Sequence, residues 1–397
     1  MTLRRRDAIG LALGAAGWGR SGPAQAQGAD AAALHRLHMG DLGALVAVDA
    51  RLGGRPWRCL IDSGASIAVV SPAVAAREQL RVVERSRVAT PGGTLQLDRV
   101  ELPPVEIAGR RVEAPQALVL DLARQLGDAG RAVEGLIGAS ALCRQVTRLD
   151  LAAGVLRWTG PDDAAPAPGR AVWPLQWDQG LPVIELALGE RAPAPFLLDT
   201  GNAGALVVFA RHASALAGGA QALPGATLEE LGGPVTVHQA LLERLGAPGY
   251  AGRDVPIVFE AGSAARRGAH FDRLAGSAGL ALFAAGAVTL DGPGARLAVE
   301  LPGLPEPAAL PGGFGFALRP EAGELPVVSA VFDGGPAGRA GARPGDRLRA
   351  LDGRPLDGWG ADAVWRALAG VPRAQFDFAA LPAPVTLERE RFFARWR

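Results

Sequence analysis

The sequence of 397 residues contains no lysine, so all 41 of its basic residues are arginine. It has two cysteines, two methionines and one tyrosine, and aromatic residues make up only 5% of the chain. The 40 acidic residues nearly cancel the arginines, and no long run of like charge predicts binding to nucleic acid or to an anionic membrane surface. Hydrophobic residues make up 49%, which excludes general disorder and suffices for two or three domains with their own cores.

The chain begins with a segment that is typical of an export signal. Three arginines (4–6) precede an apolar stretch (8–18), and Ala-Gln-Ala at 24–26 has the small-x-small pattern of a cleavage site. The apolar stretch is too short to cross a bilayer stably. The arginine pair followed by Asp-Ala-Ile resembles a twin-arginine signal. We therefore predict that residues 1–26 are a signal peptide and that the protein is periplasmic or secreted, without a membrane span. An uncleaved amphipathic anchor is the alternative.

The cysteines and histidines predict no metal site. Cys59 and Cys143 would lie in an oxidising compartment after export, where a disulfide is permitted, although two buried free thiols agree equally well with the sequence. His35 and His38 are three residues apart, but no third ligand lies near them in the sequence. We predict neither a metal nor another cofactor.

Two stretches share an apolar strand that ends on an aspartate. The first is LIDSGAS (60–66) and the second is FLLDTGNAGALVV (196–208). Burial disfavours charge, so a carboxylate at the end of an apolar strand requires a functional or structural reason. Each Asp-Ser/Thr-Gly triplet also follows a predicted pair of strands joined by a turn that contains glycine.

Matching residues follow both triplets at similar distances. They are a Gly-Gly pair predicted as a hairpin tip, a glycine in an apolar strand, and an aspartate twelve residues beyond that glycine. The matching positions are Gly92 and Gly232, Gly138 and Gly279, and Asp150 and Asp291. Such regular spacing predicts an internal duplication.

The two triplets, each followed by an apolar-apolar-Gly segment, resemble those of pepsin-like and retropepsin-like aspartic proteases. The resemblance covers roughly residues 40 to 300. It implies a mainly β fold with two β-barrel lobes, residues 35–160 and 171–301, in a pseudo-twofold arrangement. The cleft between the lobes would then lie within one chain, so the resemblance implies a monomer that acts on polypeptide substrates.

The resemblance implies that Asp62 and Asp199 form a catalytic pair. Two carboxyls held about 3 Å apart cannot both ionise, so they share one proton. An ionised and a neutral carboxyl together can deprotonate water and polarise a peptide carbonyl. The residues expected to brace the aspartate loops or to allow close approach of the backbone are Ser63, Gly64, Thr200 and Gly201. The Gly-Gly hairpins would be mobile flaps over the substrate.

Some residues depart from this family pattern. Asn202 follows the second triplet where pepsin-like enzymes usually have serine or threonine, although an asparagine amide could still donate to a carboxylate. Ala65 matches the retropepsin pattern. Tyr250, the single tyrosine, lies in the second copy, so the flap tyrosine typical of pepsin's first lobe is missing near Gly92.

Several alternatives compete with the protease interpretation. The aspartates could merely form Asx turns that end strands. The protein could bind peptides without hydrolysing them, or the first copy alone could be active and pair between two chains. The stretch GNAGALVV also resembles the nucleophile loop of trypsin-like proteases, but Ala203 replaces the required serine and excludes that triad.

Two proline-rich linkers, residues 160–170 and 302–311, separate the copies from each other and from a C-terminal segment. Residues 312–391 of that segment resemble a PDZ domain, a small α+β fold. The resemblance implies that the loop Gly313-Phe314-Gly315-Phe316 binds the terminal carboxylate of a peptide through its N–H groups, while the peptide adds as a strand.

We further expect the two phenylalanines of this loop to flank an apolar pocket. Val364, Trp365 or Leu368 of a predicted helix would complete that pocket. The alternative is that one or both rings belong to the domain core.

Overall fold

The computed structural model describes most of the chain beyond residue 29. The described residues are 30–38, 44–90, 93–126, 128–216, 225–230, 233–261, 271–301, 313–319, 325–332, 334–368, 371–390 and 394–396. Strands dominate these residues, so the prediction of a mainly β fold is confirmed. Within these ranges, no helix has both the length and the apolar character that crossing a bilayer requires. The predicted signal peptide lies outside the described residues.

In its described residues, the first lobe consists of strands and four short helices. Its strands are β1 (Ala31–Ala33), β2 (His35–His38), β3 (Ala44–Leu52), β4 (Arg55–Asp62), β5 (Ala68–Val70), β6 (Val82–Thr90), β7 (Gly93–Glu101), β8 (Val105–Ile107), β9 (Arg110–Val112), β10 (Gln116–Val119), β11 (Gly135–Gly138), β12 (Val146–Asp150) and β13 (Val155–Thr159). Its helices are α1 (Pro72–Arg77), α2 (Leu122–Leu126), α3 (Asp128–Arg131) and α4 (Ala139–Leu142).

The second lobe is also rich in strands. Its strands are β14 (Ala171–Pro174), β15 (Gln176–Asp178), β16 (Leu181–Leu188), β17 (Ala194–Asp199), β18 (Leu206–Val208), β19 (Gly225–Glu230), β20 (Gly233–Ala247), β21 (Tyr250–Ala261), β22 (Gly276–Gly279), β23 (Ala287–Asp291) and β24 (Arg296–Glu300). Helix α5 spans Ala210–Leu216, and short 3-10 helices span Pro161–Ala164 and Leu280–Phe283.

Local sequence explains where the first helix begins. Ser71 lies in extended backbone, and its hydroxyl accepts the N–H of Val74 at 3.3 Å, which satisfies one of the free donors of the first turn. Pro72 occupies the first helical position, where its missing N–H costs no hydrogen bond. Strand β5 therefore ends directly before a capped helix, and this limits the segment that follows Asp62 to a short loop and a short strand.

A sheet shared by the two lobes joins them. Its strand order is β1-β13-β12-β23-β24-β14, with β12 of the first lobe antiparallel to β23 of the second. Asp150 and Asp291 are the last residues of those two strands. Each carboxylate accepts a backbone N–H three residues further on, at 2.8 Å, so both aspartates shape the turns that follow.

The C-terminal domain has its own core. Its strands are β25 (Phe316–Arg319), β26 (Val327–Val331), β27 (Leu348–Leu351), β28 (Arg354–Pro355), β29 (Arg373–Phe378), β30 (Val385–Glu388) and β31 (Ala394–Trp396), and its helices are α6 (Pro336–Arg339) and α7 (Ala361–Leu368). Helix α7 contacts α3 and β2 of the first lobe, whereas β26 contacts β19 of the second. Strand β31 extends beyond the predicted domain and pairs in parallel with β20.

Candidate active site

Each of the two predicted catalytic aspartates ends a buried strand in the middle of a sheet. Strand β4 ends at Asp62 and pairs in parallel with β11, where Asp62 lies opposite Gly138. Strand β17 ends at Asp199 and pairs in parallel with β22, where Asp199 lies opposite Gly279. The glycines that the sequence spacing matched therefore occupy the same position relative to each aspartate.

The structure brings the two aspartate loops face to face. A Cβ atom added to Gly64 would overlap the carboxylate of Asp199, and a Cβ atom added to Gly201 would overlap the carboxylate of Asp62. Each carboxylate thus lies directly against the glycine of the opposite loop. Glycine is required at both positions because no larger residue leaves room for this approach.

Ser63 and Thr200 tie the loops together through reciprocal hydrogen bonds. The N–H of Ser63 donates to the Thr200 hydroxyl at 2.8 Å, and the N–H of Thr200 donates to the Ser63 hydroxyl at 3.0 Å. Each hydroxyl also crosses to the other strand: that of Ser63 donates to the carbonyl of Leu198 at 2.6 Å, and that of Thr200 to the carbonyl of Ile61 at 2.9 Å. Both side chains are buried, so these bonds fix the separation of the loops.

Within each loop the carboxylate is held by backbone. Asp62 accepts the N–H of Gly64 at 3.0 Å, and Asp199 accepts the N–H of Gly201 at 2.9 Å. Asp62 is only 3% exposed, whereas Asp199 is partly exposed. The two loops can therefore present two oriented carboxyl groups at one place, one of them more accessible than the other.

The sequence allows the Asn202 amide to donate to a carboxylate, but the structure directs the amide to a different acceptor. Its Nδ2 donates to the hydroxyl of Ser277 at 3.1 Å, and its Oδ1 accepts the N–H of Gly204 at 2.9 Å. Asn202 and Ser277 are 4% and 3% exposed. The motifs in the sequence do not identify Ser277, and the only signal for it is that it is a polar residue in the otherwise apolar stretch GSAG.

The two Gly-Gly positions belong to hairpins. Strands β6 and β7 pair up to Thr90 and Gly93, and strands β19 and β20 pair up to Glu230 and Gly233. The connecting residues, which include Gly92 and Gly232, lie outside the described residues. The flap role of both hairpins therefore stays a prediction.

Cys59 and Cys143 are free buried thiols, so of the two alternatives the structure has the unbridged one. Burial raises the pKa of Cys143 to about 12 and holds the pKa of Cys59 still further above its ordinary value. His35 makes a hydrogen bond with Asp49 at 2.9 Å. Across the described ranges, no cluster of three or more potential metal ligands occurs.

In the C-terminal domain, both phenylalanines of the predicted peptide-binding loop are in the core. Phe314 and Phe316 are each 0% exposed. The Phe316 ring lies 5.5 Å from that of Trp365, one of the helix residues expected beside it, and both phenylalanines contact Phe376. The rings therefore support the loop from the inside of the domain.

The backbone of this loop is partly engaged. The N–H of Gly313 donates to the carbonyl of Glu390 at 3.0 Å, so it is not directed to a ligand. The carbonyl of Phe314 accepts from Ala337 at 2.9 Å. Among the residues that the structure describes, the N–H groups of Phe314 and Gly315 have no backbone acceptor, and Gly315 has a φ of +83° that favours glycine.

A comparison with protein families gives a match in the first lobe. Residues 48–141, which include Asp62 and β11, match the family model described as aspartyl protease. A solved structure of a retropepsin-like aspartic protease from Rickettsia conorii is similar over 32% of this chain and 88% of that chain, with 18% identity and a TM-score of 0.23. No curated protein matches the sequence.

Proposed function

We propose that the protein is a single-chain aspartic endopeptidase whose catalytic residues are Asp62 and Asp199. The observation that carries this proposal is the reciprocal bonding of Ser63 and Thr200, which holds each carboxylate against the glycine of the other loop. Aspartates that only ended strands as Asx turns would need no such connection between two loops 137 residues apart in sequence.

The proposed reaction uses a water molecule between the two carboxyls. The ionised carboxylate accepts a proton from this water while the water oxygen attacks the carbonyl carbon of a peptide bond. The neutral carboxyl gives its proton to the carbonyl oxygen. The carboxyl that took the water proton then gives it to the nitrogen, the carbon–nitrogen bond of the tetrahedral diol breaks, and one diol hydroxyl returns a proton to the other carboxylate. The products are a carboxyl group and an amine, and neither a metal nor a covalent intermediate is needed.

The proposal extends to the ends of the chain. The N-terminal segment directs export, and the C-terminal domain is a PDZ module that binds peptide C-termini. Support for the second point comes from β25, which within the described residues pairs only with β26 and so has one edge open for an added strand. The N–H groups of Phe314 and Gly315 would receive the terminal carboxylate.

Hydrolysis of casein by the purified full chain, measured from acidic to neutral pH, tests the protease assignment. We expect cleavage by the parent and none by Asp62→Asn or Asp199→Asn, with both variants folded by circular dichroism. Loss of activity in Asp62→Asn alone would favour pairing of first lobes between chains. If the parent is inactive at every pH, the protein binds peptides without cleaving them and the proposal is wrong.

Peptide binding tests the PDZ assignment separately. Fluorescence anisotropy of the Asp62→Asn chain with a labelled peptide library should detect binding of peptides with a free terminal carboxylate. The same peptides with an amidated C-terminus should bind at least tenfold more weakly, since the charge-assisted hydrogen bonds are lost. Equal binding of both forms would contradict this role.

A further inference from the structure

The two aspartate loops differ in length by one residue. Strand β5 begins at Ala68, six residues after Asp62, whereas β18 begins at Leu206, seven residues after Asp199. Both strands then pair antiparallel with the glycine-containing strand of their lobe, β11 or β22. The additional residue of the second lobe therefore lies in the loop that follows the aspartate.

The side chain of Asn202 spans this longer loop. Its Oδ1 accepts the N–H of Gly204 at 2.9 Å, inside the loop, while its Nδ2 donates to the hydroxyl of Ser277 at 3.1 Å, on β22. The backbone carbonyl of Asn202 also accepts the N–H of Leu280 at 2.8 Å. One residue thus connects the loop to itself and to the neighbouring strand.

The first lobe keeps the backbone contact and lacks the side-chain contacts. The carbonyl of Ala65 accepts the N–H of Ala139 at 2.7 Å, as the carbonyl of Asn202 accepts from its own partner. At the strand position that corresponds to Ser277, the first lobe has Leu136, which belongs to the same apolar cluster as Ala65. A hydrogen-bonded polar pair in one lobe therefore takes the place of an apolar pair in the other.

Because this polar pair is buried, its groups must form hydrogen bonds within the protein. An asparagine amide or a serine hydroxyl that is withdrawn from water must find hydrogen-bond partners, or its burial destabilises the fold. Here the Asn202 amide donates to the Ser277 hydroxyl, and its oxygen accepts the N–H of Gly204. Such a pair has one favourable arrangement, so it specifies the path of the loop more narrowly than apolar contacts do.

We infer that Asn202 is a positioning residue that holds the Asp199 loop, through Ser277 and Gly204, in the geometry that the carboxyl pair requires. This inference rests on the proposed function, because it gives the loop geometry a catalytic purpose. Asn202 itself does not contact the reacting atoms. It acts by fixing the three residues that precede it.

Asn202→Ala in the full chain tests the inference. We expect kcat for a peptide substrate to fall about tenfold while KM changes less than about twofold, since a displaced carboxylate affects the chemical step more than binding. We also expect the Gly204 amide to exchange with solvent at least about tenfold faster, with no change in the amides of β29 in the C-terminal domain. Ser66→Ala, in the exposed part of the Asp62 loop, is the matched control and should behave as the parent.

Ser277→Ala decides the question if Asn202→Ala does not fold. It removes the acceptor of the amide and leaves the Gly204 contact in place, so we expect a kcat about threefold lower and slow Gly204 exchange. An Asn202→Ala protein with parental kcat, or with its loss confined to KM, would overturn the inference. If the parent itself cleaves nothing, the proposed function fails, and the Gly204 exchange rate alone decides whether Asn202 holds the loop.

Discussion

The loops that carry Asp62 and Asp199 share the hydrogen bonds that hold their carboxylates, yet their surroundings differ. In both, the aspartate accepts the N–H two residues ahead, and the next hydroxyl crosses to the other lobe. Around these common bonds, the first loop is shorter and makes an apolar contact through Ala65, and the second is longer and held by a buried amide. The part that repeats is the part that positions the carboxyls, so it is this part that the proposed chemistry depends on.

Adding a methyl group at the contact between the loops should have the largest effect. Gly64→Ala and Gly201→Ala each place a Cβ atom on the opposite carboxylate. We expect kcat/KM to fall at least about 100-fold in both, because the loops must separate to admit the methyl group. Peptide hydrolysis by each purified variant measures the loss.

The relative size of the two losses tests whether the two loops are equivalent. If the loops contribute equally, the two variants should agree within about threefold. Gly160→Ala is the control, since Gly160 has extended backbone and open space around its Cα, and it should retain parental activity. Near-parental activity in Gly64→Ala would contradict the close approach of the carboxyls.

Removal of the hydroxyls that connect the loops should have the next largest effect, a loss of stability. Thr200→Val keeps the shape of the side chain but removes the donor to Ile61 and the acceptor for the Ser63 N–H. We expect the free energy of unfolding to decrease by about 2 to 3 kcal/mol, since a buried N–H is left unpaired. Urea denaturation of the variant measures this change.

Ser63→Ala makes the corresponding change in the other loop and should cost a similar amount, because the bonds are reciprocal. Thr200→Ser retains the hydroxyl and is the matched control, with an expected change below about 1 kcal/mol. A cost from Ser63→Ala alone would show that the crossed bonds are not equivalent in the two lobes.

The sequence predicts the shared part of the loops and not the part that differs. The triplets, the matched glycines and the apolar strands are local patterns, and these patterns alone suffice to place Asp62 and Asp199 in equivalent positions. Asn202 and its partner Ser277 are 75 residues apart in sequence, and the pairing of β18 with β22 brings them together. Local sequence pattern does not determine such a register, so it does not identify Ser277 as the partner of Asn202.

In the C-terminal region too, local sequence pattern predicts some features and leaves others open. The core of the domain depends on spacing that sequence reveals, but the direction of each phenylalanine depends on how the loop twists, so the sequence left open whether the rings line a pocket. Strand β31 pairs with β20 of the second lobe, and its three residues carry no pattern that names this partner. Local sequence pattern does not predict contacts between short segments that are far apart in the sequence.

The sheet shared by the lobes should show a smaller, pH-dependent effect. Glu300 accepts hydrogen bonds from Arg148 at 2.7 and 3.0 Å and from Arg170 at 2.8 Å. These bonds hold the pKa of Glu300 below its ordinary value of 4.5, and the bond from Arg148 has the largest effect. A carboxylate with a lowered pKa stabilises the fold above that ordinary value. Its contribution is lost as the pH falls through the lowered pKa.

We therefore expect Glu300→Gln to lower the free energy of unfolding by about 1 kcal/mol at neutral pH, since the group is partly exposed. The difference from the parent should shrink as the pH falls below 4.5. Urea denaturation at several pH values measures it, with Glu185→Gln, on an exposed position of β16, as the control. A difference that does not vary with pH would show that packing, not charge, explains the effect.

The smallest effect concerns the thiols, which report on one lobe alone. Cys59 and Cys143 both lie in the first lobe, and the thiolate that reacts with alkylating agents is scarce because burial raises the pKa of each. We expect neither to react with iodoacetamide over about an hour at pH 7.5, as measured by mass spectrometry. In increasing urea, Cys143 should react before Cys59, because it is 9% exposed and Cys59 is fully buried. Rapid labelling of Cys59 in native buffer would mean that the first lobe opens readily, and its shorter loop would then be the less rigid of the two.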